Sequence, residues 1–291
     1  MATDTRLLLS HESESNSRVS RRLSEHGIDC VTFEPSERVY SLDSDGVPDA
    51  DVGLVYPSRL IEGGVVTAVG ELDWINGAEE VMTSRNKADC LVRLRRDGVA
   101  VPDTRFVSNP VEDDDVAAAF EEIDGKTVVK PNSSTRGNGV TVVEDTDSLL
   151  GVTDYLDVIH ESPLVYDRTF LLQEYIEDAR DYRVMVVDGD YVGAVERRSE
   201  GWKHNVHRGA EAVSVTPDDE VVTLAEEAAE SLGIDFCGVD LLQNQNRAVV
   251  NEVNARPTVD TRDKYEDTFY TRLARLVEKV AEEAKTPQNA D

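Results

Sequence analysis

Residues 236–255 read FCGVDLLQNQNRAVVNEVNA, and the fold prediction depends on this stretch. Two apolar, β-rich runs flank a polar centre, which predicts a β-hairpin. Glu252 and Asn254 are two positions apart, so their side chains lie on one face of the second strand. If the turn centres near Asn246, Asp240 on the first strand lies opposite Glu252. The sequence therefore predicts three oxygen-bearing side chains on a single face of the hairpin.

This cluster has two interpretations. Carboxylates that repel each other are stabilised by a cation, and hard oxygen ligands select Mg²⁺ or Mn²⁺. The other interpretation is a polar stripe that faces solvent, because Asp and Glu together number 59 in this chain. The hairpin by itself leaves both open.

A second stretch, VVKPNSSTRGNGV at residues 128–140, ends a β-branched run in Lys130 and continues into a loop of small and polar residues. Its order fits neither the GxxxxGK[ST] loop, in which the lysine follows the first glycine, nor the GxGxxG turn. A lysine at the end of a strand can still place its ammonium group beside phosphates, with the backbone N–H groups of residues 134–139 on their other side. The alternative is a hairpin turn with an exposed lysine.

A third stretch, LLQEYIEDARDYR at residues 171–183, is an apolar strand that leaves directly into a turn. Such an exit can offer backbone donors and acceptors to the edge of an adenine ring. Asp181 follows Glu174 at a spacing that allows its carboxylate to return toward a ribose. Strand exits followed by acidic residues are common, so this signal is weak alone.

Elsewhere the pattern predicts a small α/β unit followed by α+β structure. Short strands at residues 6–10, 28–33 and 51–57 alternate with helical patterns, which is typical of a parallel sheet. Helical spacing of apolar residues continues from Val81 to Leu94 with a stop at Gly98. Residues 181–199 predict a hairpin with Asp188-Gly189 as its turn. A final helix is expected over residues 267–284.

The composition limits the function classes. The net charge is −29, and only seven of the 30 basic residues are lysine, which is typical of a protein from a high-salt cytoplasm, although a generic acidic protein is the alternative. Nucleic-acid binding is not expected without a basic surface. We also expect no membrane partner and a cytoplasmic location, because the sequence lacks a secretion signal and a long apolar run. The three cysteines are widely spaced and fit buried hydrophobic positions.

Read in order, the motifs resemble those of the ATP-grasp superfamily, in particular the RimK-like glutamate ligases. The matching segments are NK (86–87), VVKP with its loop (128–139), QEYI (173–176), NVHRGA (205–210), GIDFCGVDLL (233–242) and VVNEVNARP (249–257). The resemblance runs from about Val81 to Val280. It implies an ATP-grasp fold, in which two α+β subdomains clasp ATP, preceded by a small Rossmann-like α/β domain. The predicted division is an N-terminal domain at 1–84, a central subdomain at 85–172, a C-terminal subdomain at 173–285 and a polar tail at 286–291.

The resemblance also implies the residues that bind ATP. Lys87 and Lys130 would contact the phosphates, and Arg183 would lie at the site of transfer. The loop 133–139 would close over the phosphates, with contacts from Ser134, Gly137 and Gly139. The adenosine would be lined by Gln173, Glu174, Ile176 and, on the ribose, Asp181.

For the metal and the transfer step, the resemblance implies a second set. Two Mg²⁺ (or Mn²⁺) ions would be held by Asp240, Glu252 and Asn254. The site of transfer would be lined by Arg197, Arg198, Asn205 and Arg208. Because neighbours on a strand face opposite sides, only one of the two adjacent arginines can point inward. His207 is expected to orient its loop rather than to act as a base.

The implied reaction is carboxylate–amine ligation. The γ-phosphoryl group of ATP converts a carboxylate into an acyl phosphate, and an amine then displaces phosphate to form an amide. Positioning and charge neutralisation suffice for this chemistry, so no nucleophilic side chain is needed. The expected partners are an amino acid and a small-molecule or protein carboxylate, in a homo-oligomer such as the family forms. A small-molecule kinase and a nucleotide-binding regulator without turnover are the alternatives.

The sequence departs from the family immediately after the NEVN motif. RimK-like ligases usually have a small residue and then Ser-Pro-Gly there, whereas this chain has NARPTVDTRDKYED, with Arg256 and Thr258 in place of Ser and Gly. Arg256, Arg262 and Lys264 are candidates to bind a substrate carboxylate. The alternative is that they pair with the nearby acids, which include Asp260, Asp263 and Glu266.

Overall fold

The computed structural model describes residues 5–43, 45–134, 137–162, 165–198 and 211–285. The first elements are β1 (Arg6–Leu9), α1 (Glu14–Ser24), β2 (Asp29–Thr32), β3 (Val52–Leu54) and α2 (Leu60–Gly70). The three strands form a parallel sheet in the order β2-β1-β3. This arrangement confirms the predicted parallel α/β unit.

Two helices stand where the apolar spacing predicts one. They are α3 (Ala78–Arg85) and α4 (Lys87–Arg96). The prediction of a continuous helical segment is wrong, because the backbone of Asn86 is extended (φ −84°, ψ 91°). The Asn86 side chain accepts a hydrogen bond from the N–H of Asp89 at 3.2 Å, so the same residue ends α3 and caps α4. This cap places Lys87 at the first position of α4.

A four-stranded antiparallel sheet follows, in the order β4-β7-β5-β6. Its strands are β4 (Thr104–Ser108), β5 (Thr127–Pro131), β6 (Thr141–Val143) and β7 (Thr169–Glu174), and its helices are α5 (Asp113–Glu121) and α6 (Thr146–His160). Val116 and Phe120 of α5 and Leu149 of α6 share one buried cluster with Phe170 and Leu172 of β7. The loop that follows Lys130 therefore joins two strands of this sheet, β5 and β6.

A five-stranded antiparallel sheet, in the order β10-β9-β8-β11-β12, forms the rest of the fold. Its elements are β8 (Arg180–Val187), β9 (Asp190–Arg198), β10 (Glu211–Val215), α7 (Asp219–Leu232), β11 (Phe236–Gln243), β12 (Ala248–Asn254), a 3₁₀ helix (Arg262–Lys264) and α8 (Phe269–Ala284). Both predicted hairpins are present, and Asp188 (φ 51°) and Gly189 (φ 79°) form the turn of the first. No helix within the described ranges is long and apolar enough to cross a membrane.

Apolar residues cover both faces of this large sheet. Val184 of β8 belongs to a buried cluster that includes Val81 of α3. The next residue, Met185, points the other way and belongs to a cluster that includes Leu7 of β1 and Phe269 of α8. The N-terminal unit is thus joined to the sheet through a continuous apolar core, which fixes α1 beside the end of β12.

Two of the predicted domain boundaries fall within packed structure. The boundary at 172/173 lies inside β7, an inner strand of the four-stranded sheet. Around the boundary at 84/85, Val81 of α3 and Leu94 of α4 share one core with Val239 of β11. Packing therefore continues across both positions.

One buried side chain, Asn76, links the start of β11 to the end of β12. Its Nδ2 donates to the carbonyl oxygens of Phe236 at 2.5 Å and Ala255 at 2.8 Å. Its Oδ1 accepts the N–H of Phe236 at 3.4 Å. Asn76 is 2 % exposed, so these backbone groups depend on it rather than on water.

We expect Asn76→Ala to lower the free energy of unfolding by about 2–4 kcal/mol, because it leaves buried carbonyl groups without a donor. Urea denaturation followed by circular dichroism measures this change. Asn246→Ala, in the exposed turn between β11 and β12, is the matched control and should leave the midpoint nearly unchanged. Equal midpoints for the two variants would show that Asn76 does not stabilise this junction.

Candidate active site

A cleft of about 570 Å³ lies between the five-stranded sheet, the loop after β5 and the start of α1. The β11–β12 hairpin contributes Asp240, Glu252 and Asn254, which are the three predicted metal ligands. The other lining residues with predicted roles are Lys87, Gly137, Arg183, Arg197 and Arg256. Residues from all parts of the fold thus meet in one cavity.

The register of the hairpin sets the metal-ligand geometry. Asp240 pairs with Glu252, and Gly238 pairs with Asn254. The predicted pairing of Asp240 with Glu252 is therefore confirmed, but through a β-bulge: Leu241 pairs with Val250, which leaves Asn251 as the extra residue. A bulge redirects the side chain that it carries. Here it turns Asn251 toward Lys130, whose Nζ donates to the Asn251 Oδ1 at 3.2 Å.

Asp240 lies between two arginines. The guanidinium of Arg183 donates to both carboxylate oxygens, from Nε at 2.7 Å and from Nη2 at 2.8 Å, and the Nη1 of Arg197 donates to Oδ2 at 3.1 Å. Burial by itself raises the pKa of Asp240, but the two guanidinium groups outweigh it and hold that pKa below its ordinary value. Asp240 is therefore ionised at neutral pH although it is only 5 % exposed.

Of the two adjacent arginines, Arg197 faces the cleft. It is buried between Asp240 and Asp181, and its Nε donates to the Asp181 Oδ1 at 3.0 Å. The Arg198 side chain is 55 % exposed and pairs with Glu196 at 2.7 Å. The structure thus answers the question that the sequence left open, and it places Asp181 underneath Arg197.

Lys130 lies at the buried end of β5. Its Nζ donates to the Gln173 Oε1 at 2.7 Å as well as to Asn251. Burial, with a smaller contribution from the charge of Lys87, lowers the pKa of Lys130 to about 8. The side chain of Gln173, expected beside adenine, is thus engaged with Lys130 and with the Thr104 hydroxyl at 2.9 Å.

Lys87 enters the cleft from the first turn of α4. Its Nζ donates to the carbonyl oxygen of Ser134 at 2.8 Å and lies 3.5 Å from the Glu252 carboxylate. Asn132 connects this helix to the loop after β5, since its Oδ1 accepts the N–H of Ala88 at 2.9 Å and its Nδ2 donates to Asn86 at 2.9 Å. The two predicted phosphate-binding lysines are close enough for the charge of Lys87 to lower the pKa of Lys130, although only Lys87 lines the cleft itself.

The loop after β5 has the backbone that its glycines predict. Gly137 and Gly139 have φ of 66° and 73°, in the left-handed region that favours glycine. A Cβ at Gly139 would also lie 2.8 Å from the Pro131 Cγ. The Oγ of Ser134 is buried without a hydrogen-bond partner, which leaves a donor for a ligand such as a phosphate. Residues 135–136 of this loop lie outside the described residues.

At the exit of β7, Glu174 and Ile176 differ in their contacts. The Glu174 carboxylate accepts the N–H of Asp103 at 2.7 Å and pairs with Arg247 at 2.6 Å, so its side chain fixes the start of β4. The backbone N–H of Ile176 makes no hydrogen bond to another described residue. This N–H is the donor that the strand exit can offer to an adenine edge.

Two predicted transfer residues, Asn205 and Arg208, lie outside the described residues, as does His207. The NVHRG segment that contains them remains a prediction from the sequence.

The basic residues after β12 divide into two groups. Arg262 pairs with Asp267 at 2.7 Å, and Lys264 pairs with Asp260 at 2.7 Å. For these two residues the nearby acids are the partners. Arg256 differs: its Nε is buried without a hydrogen-bond partner. Burial, followed by the charge of Arg85, lowers the pKa of Arg256 to about 10, and Glu34 acts in the opposite direction.

The donor set of the hairpin fits a hard cation. Asp240, Glu252 and Asn254 offer oxygen atoms on one face, as Mg²⁺ requires. The described residues contain no group of three or more His, Cys, Asp or Glu side chains that could hold a metal, since one of the three predicted ligands is an amide. The Oδ1 of Asp240 accepts a hydrogen bond from the Arg183 Nε and retains a second lone pair for a metal ion.

A known family accounts for this combination of features. The model of the RimK-like ATP-grasp domain matches residues 84–275, well over half of the 291 residues. The chain belongs to the RimK-like ATP-grasp family. The match includes every predicted metal ligand and both lysines.

Curated proteins named alpha-L-glutamate ligase are similar to this chain over much of its length. A protein of Halorhodospira halophila, named probable alpha-L-glutamate ligase, is 34% identical over 193 residues, which cover 64% of this chain and 60% of that protein. A protein of Saccharophagus degradans with the same name is 33% identical over 220 residues, 74% of this chain and 69% of that protein. The chain thus spans about 60% of the length of the first of these relatives.

Similar solved structures share the fold over nearly the whole chain. D-cycloserine synthetase DcsG has a TM-score of 0.73 at 17% identity, covering 97% of this chain and 100% of its own. The RimK domain ATP-grasp protein from Sphaerobacter thermophilus has a TM-score of 0.68 at 20% identity, covering 96% and 98%. D-alanine–D-alanine ligase from Bacillus anthracis, complexed with ATP, has a TM-score of 0.67 at 15% identity, covering 97% and 98%. The predicted ATP-grasp fold is confirmed.

Sequence reasoning missed three asparagines that organise the cleft. Asn86 caps α4, Asn132 ties α4 to the loop after β5, and Asn251 bonds Lys130. Asn86 had a usable signal, because asparagine before a helical run is a common N-cap. For Asn251 no signal was available, because its position follows from the bulge.

We expect Arg197→Gln to lower the free energy of unfolding by roughly 3–5 kcal/mol, because it removes a buried guanidinium group that pairs with both Asp181 and Asp240. Arg198→Gln is the matched control on the neighbouring residue, and it should leave the denaturation midpoint unchanged because Arg198 is exposed. Guanidinium denaturation measures both. A similar loss in the two variants would contradict the assigned orientation of β9.

Proposed function

We propose that the protein is an ATP-dependent carboxylate–amine ligase that works through an acyl phosphate. The observation that carries this proposal is the meeting of Lys87 with Asp240, Glu252 and Asn254 in one cleft, with the buried Lys130 close enough to Lys87 and Glu252 to feel their charges. Cations suited to phosphate oxygens thus face oxygen donors suited to Mg²⁺. Relatives named alpha-L-glutamate ligase support an amino acid as the amine substrate.

The residues of the cleft would divide the work of binding ATP. Lys87 and Lys130 contact the phosphates from the ends of α4 and β5, and the loop with Ser134, Gly137 and Gly139 covers them. The Ile176 N–H receives the adenine edge. Gln173 acts one step away, because its side chain holds the ammonium group of Lys130 in place.

The C-terminal hairpin would hold the metal. Asp240, Glu252 and Asn254 provide oxygen ligands, and the family resemblance implies two ions. Magnesium, when bound, neutralises phosphate oxygens and so favours phosphoryl transfer. Lys87 lies 3.5 Å from Glu252, and this short distance supports a phosphate contact next to the proposed metal site.

Arg183 and Arg197 would stabilise the negative charge that develops during transfer. Their positions are fixed before any ligand binds, because both donate to Asp240, and Arg197 also donates to Asp181. Donors that need no reorganisation contribute the most to a transition state. Asn205 and Arg208 complete this set as the sequence predicts.

The substrates and the setting belong to the same proposal. The acceptor is a carboxylate of a small molecule or protein, and the amine comes from an amino acid. We propose a cytoplasmic location in a cell of high salt content, which the net charge of −29 favours. A dimer or tetramer is expected from the family resemblance.

A mass-spectrometric screen tests the ligase directly. The protein is incubated with ATP, Mg²⁺ and pairs of amino acids and carboxylate acceptors, and a product heavier by one amino acid less water is expected. Hydroxylamine should also trap the acyl phosphate as a hydroxamate. ADP release without a hydroxamate, together with a phosphorylated hydroxyl, would instead identify a kinase.

We expect Asp240→Asn to reduce turnover by about a hundredfold or more, because it removes a metal ligand and the partner of two arginines. Asp154→Asn, on the exposed face of α6, is the control and should retain full turnover. The rate of ADP release measures both variants. An Asp240→Asn variant as active as the control would rule out the assigned metal site.

The lowered pKa of Lys130 predicts a pH dependence of ATP binding. Phosphates favour the charged form, so above about pH 8 a proton must be taken up on binding, and the affinity should fall by up to about tenfold per pH unit. Lys130→Arg stays charged and should remove this dependence. Calorimetric titration with ATP from pH 7 to 9.5 measures it, and identical profiles for the two proteins would contradict the assignment.

The same shift has a consequence for stability. The folded-state pKa of about 8 lies below the ordinary value of 10.5, so the folded protein binds fewer protons than the unfolded chain between these values. The contribution of Lys130 to the free energy of unfolding is therefore lowest below pH 8 and increases as the pH rises toward 10.5. Lys130→Arg should lack this increase in a denaturation series.

A further inference from the structure

One end of the cleft contains two arginines from different elements. Arg85 is the last residue of α3, and Arg256 follows β12. Both line the same cavity as Asp240 and Glu252, and the start of α1 forms the wall beside them. The two guanidinium groups are close enough for Arg85 to lower the pKa of Arg256. Like charges are thus held near each other in a half-buried position.

Neither arginine forms an ion pair with a described residue, and the Nε of Arg256 is buried without any hydrogen-bond partner. Arginines without an acidic partner are unusual in this chain, because its 59 acidic residues outnumber its 30 lysines and arginines. The acids that line this end of the cleft have other cations: Glu14 pairs with Arg18, and Asp260 pairs with Lys264. An unpaired, half-buried cation destabilises a fold unless an anion accompanies it.

The wall at the start of α1 contains a helix N-terminus and a histidine as well as Glu14. Ser13 caps α1 by accepting the N–H of Asn16 at 3.0 Å, so the positive end of the helix dipole is directed into the cleft. Burial and then the charge of Arg256 lower the pKa of His11, so its imidazole is neutral at pH 7. The carboxylates nearest to this end are Glu14 and Asp260, which pair with Arg18 and Lys264, and Glu34, whose charge only partly offsets the lowered pKa of Arg256.

The wall is also held in place. The Val259 N–H donates to the Ser15 Oγ at 2.8 Å, and the Arg18 Nη1 donates to the Val259 carbonyl at 3.1 Å. Arg256 lies three residues before Val259, on a segment that α1 fixes from one side and Asn76 from the other through Ala255. The backbone that carries Arg256 is thus held in place before a ligand arrives.

We propose that Arg85 and Arg256 together bind a substrate carboxylate that does not react. The inference rests on the proposed ligase function and names its substrate class: the amine substrate carries a free carboxylate, as an α-amino acid does. Guanidinium groups bind carboxylates through paired N–H donors, which fits a planar anion better than a lysine pair would. Lys87 and Lys130 bind the phosphates at the other end, so the carboxylate and the nucleotide occupy separate cations.

Binding of L-glutamate to the ADP- and Mg²⁺-loaded full chain tests this proposal by calorimetry. Arg256→Gln and Arg85→Gln should each weaken glutamate binding by about tenfold or more, while ADP affinity changes less than about threefold. Arg256→Lys should recover part of the loss. Arg275→Gln, exposed on α8, is the control and should bind glutamate like the unaltered protein. Equal losses for glutamate and ADP would overturn the proposal, because the arginines would then serve the phosphates.

Two further probes identify the source of the carboxylate. Isoglutamine lacks the α-carboxylate of glutamate, and glutarate lacks the amine. Loss of binding with isoglutamine assigns the arginines to the amine substrate. Arginine-dependent binding of glutarate, with isoglutamine still bound, would overturn the assignment to the α-carboxylate of an amine substrate. If none of the three probes binds in a manner that depends on Arg256, the proposal is wrong.

Stability provides a readout independent of turnover. A structural cation would lower the denaturation midpoint when removed, whereas Arg256→Gln should leave it unchanged or raise it, because an unpaired buried charge is lost. The failure of the ligase itself would show differently, as absent ADP release in the unaltered protein with glutamate binding still dependent on Arg256.

Discussion

The ion cluster centred on Asp240 is the constraint on which the cleft depends. A buried carboxylate remains charged only where cations offset the loss of hydration, and here Arg183 and Arg197 do so from adjacent strands. The antiparallel register makes this possible, because Asp240 is the cross-strand neighbour of Arg183 on one side and of Glu252 on the other. A slip of one residue would turn Asp240 to the opposite face and leave both arginines unpaired. The pairing of β8, β11 and β12 is thus specified by charge as well as by apolar packing.

The cleft differs from the rest of the protein surface in the sign of its electrostatic potential. The chain carries a net charge of −29, and such a surface repels a nucleotide. The charges around Asp240 have the opposite balance. The cations are Lys87, Lys130, Arg183 and Arg197, and the carboxylates are Asp181, Asp240 and Glu252. With Lys130 protonated, this group has one positive charge in excess, so the cleft is a local region of positive potential on an acidic protein. A metal ion bound at the hairpin would increase that excess. The two carboxylates of the hairpin, Asp240 and Glu252, would then not prevent phosphates from entering the cleft.

Much of the fold could be predicted because its signals are local. The Asp188-Gly189 turn, the β-branched runs of β5 and β11 and the cap positions of the helices act over a few residues, and the motif order then gives the family. The contacts that complete the site are not local. Asn251 reaches Lys130 only because of a bulge, and Asn132 meets Asn86 across 46 positions of the chain. The break at Asn86 was missed because apolar spacing on both sides of it continues in phase, so the periodicity hides the cap. The orientation of Arg197 also required the observed face of β9, since alternation shows only that Arg198 lies on the other side.

The N-terminal unit takes part in the cleft although most of it precedes the family match at residues 84–275. Ser15 and Arg18 of α1 hold Val259, and Asn76 holds Ala255, so both ends of the segment with Arg256 are fixed from outside the matched region. The lysines and the metal hairpin, in contrast, lie entirely within it. The predicted phosphate and metal residues are therefore contained in the matched region, whereas the segment with Arg256 also depends on contacts from outside that region. A change in α1 or after β12 can alter which substrate fits against that segment without disturbing the buried charges around Asp240.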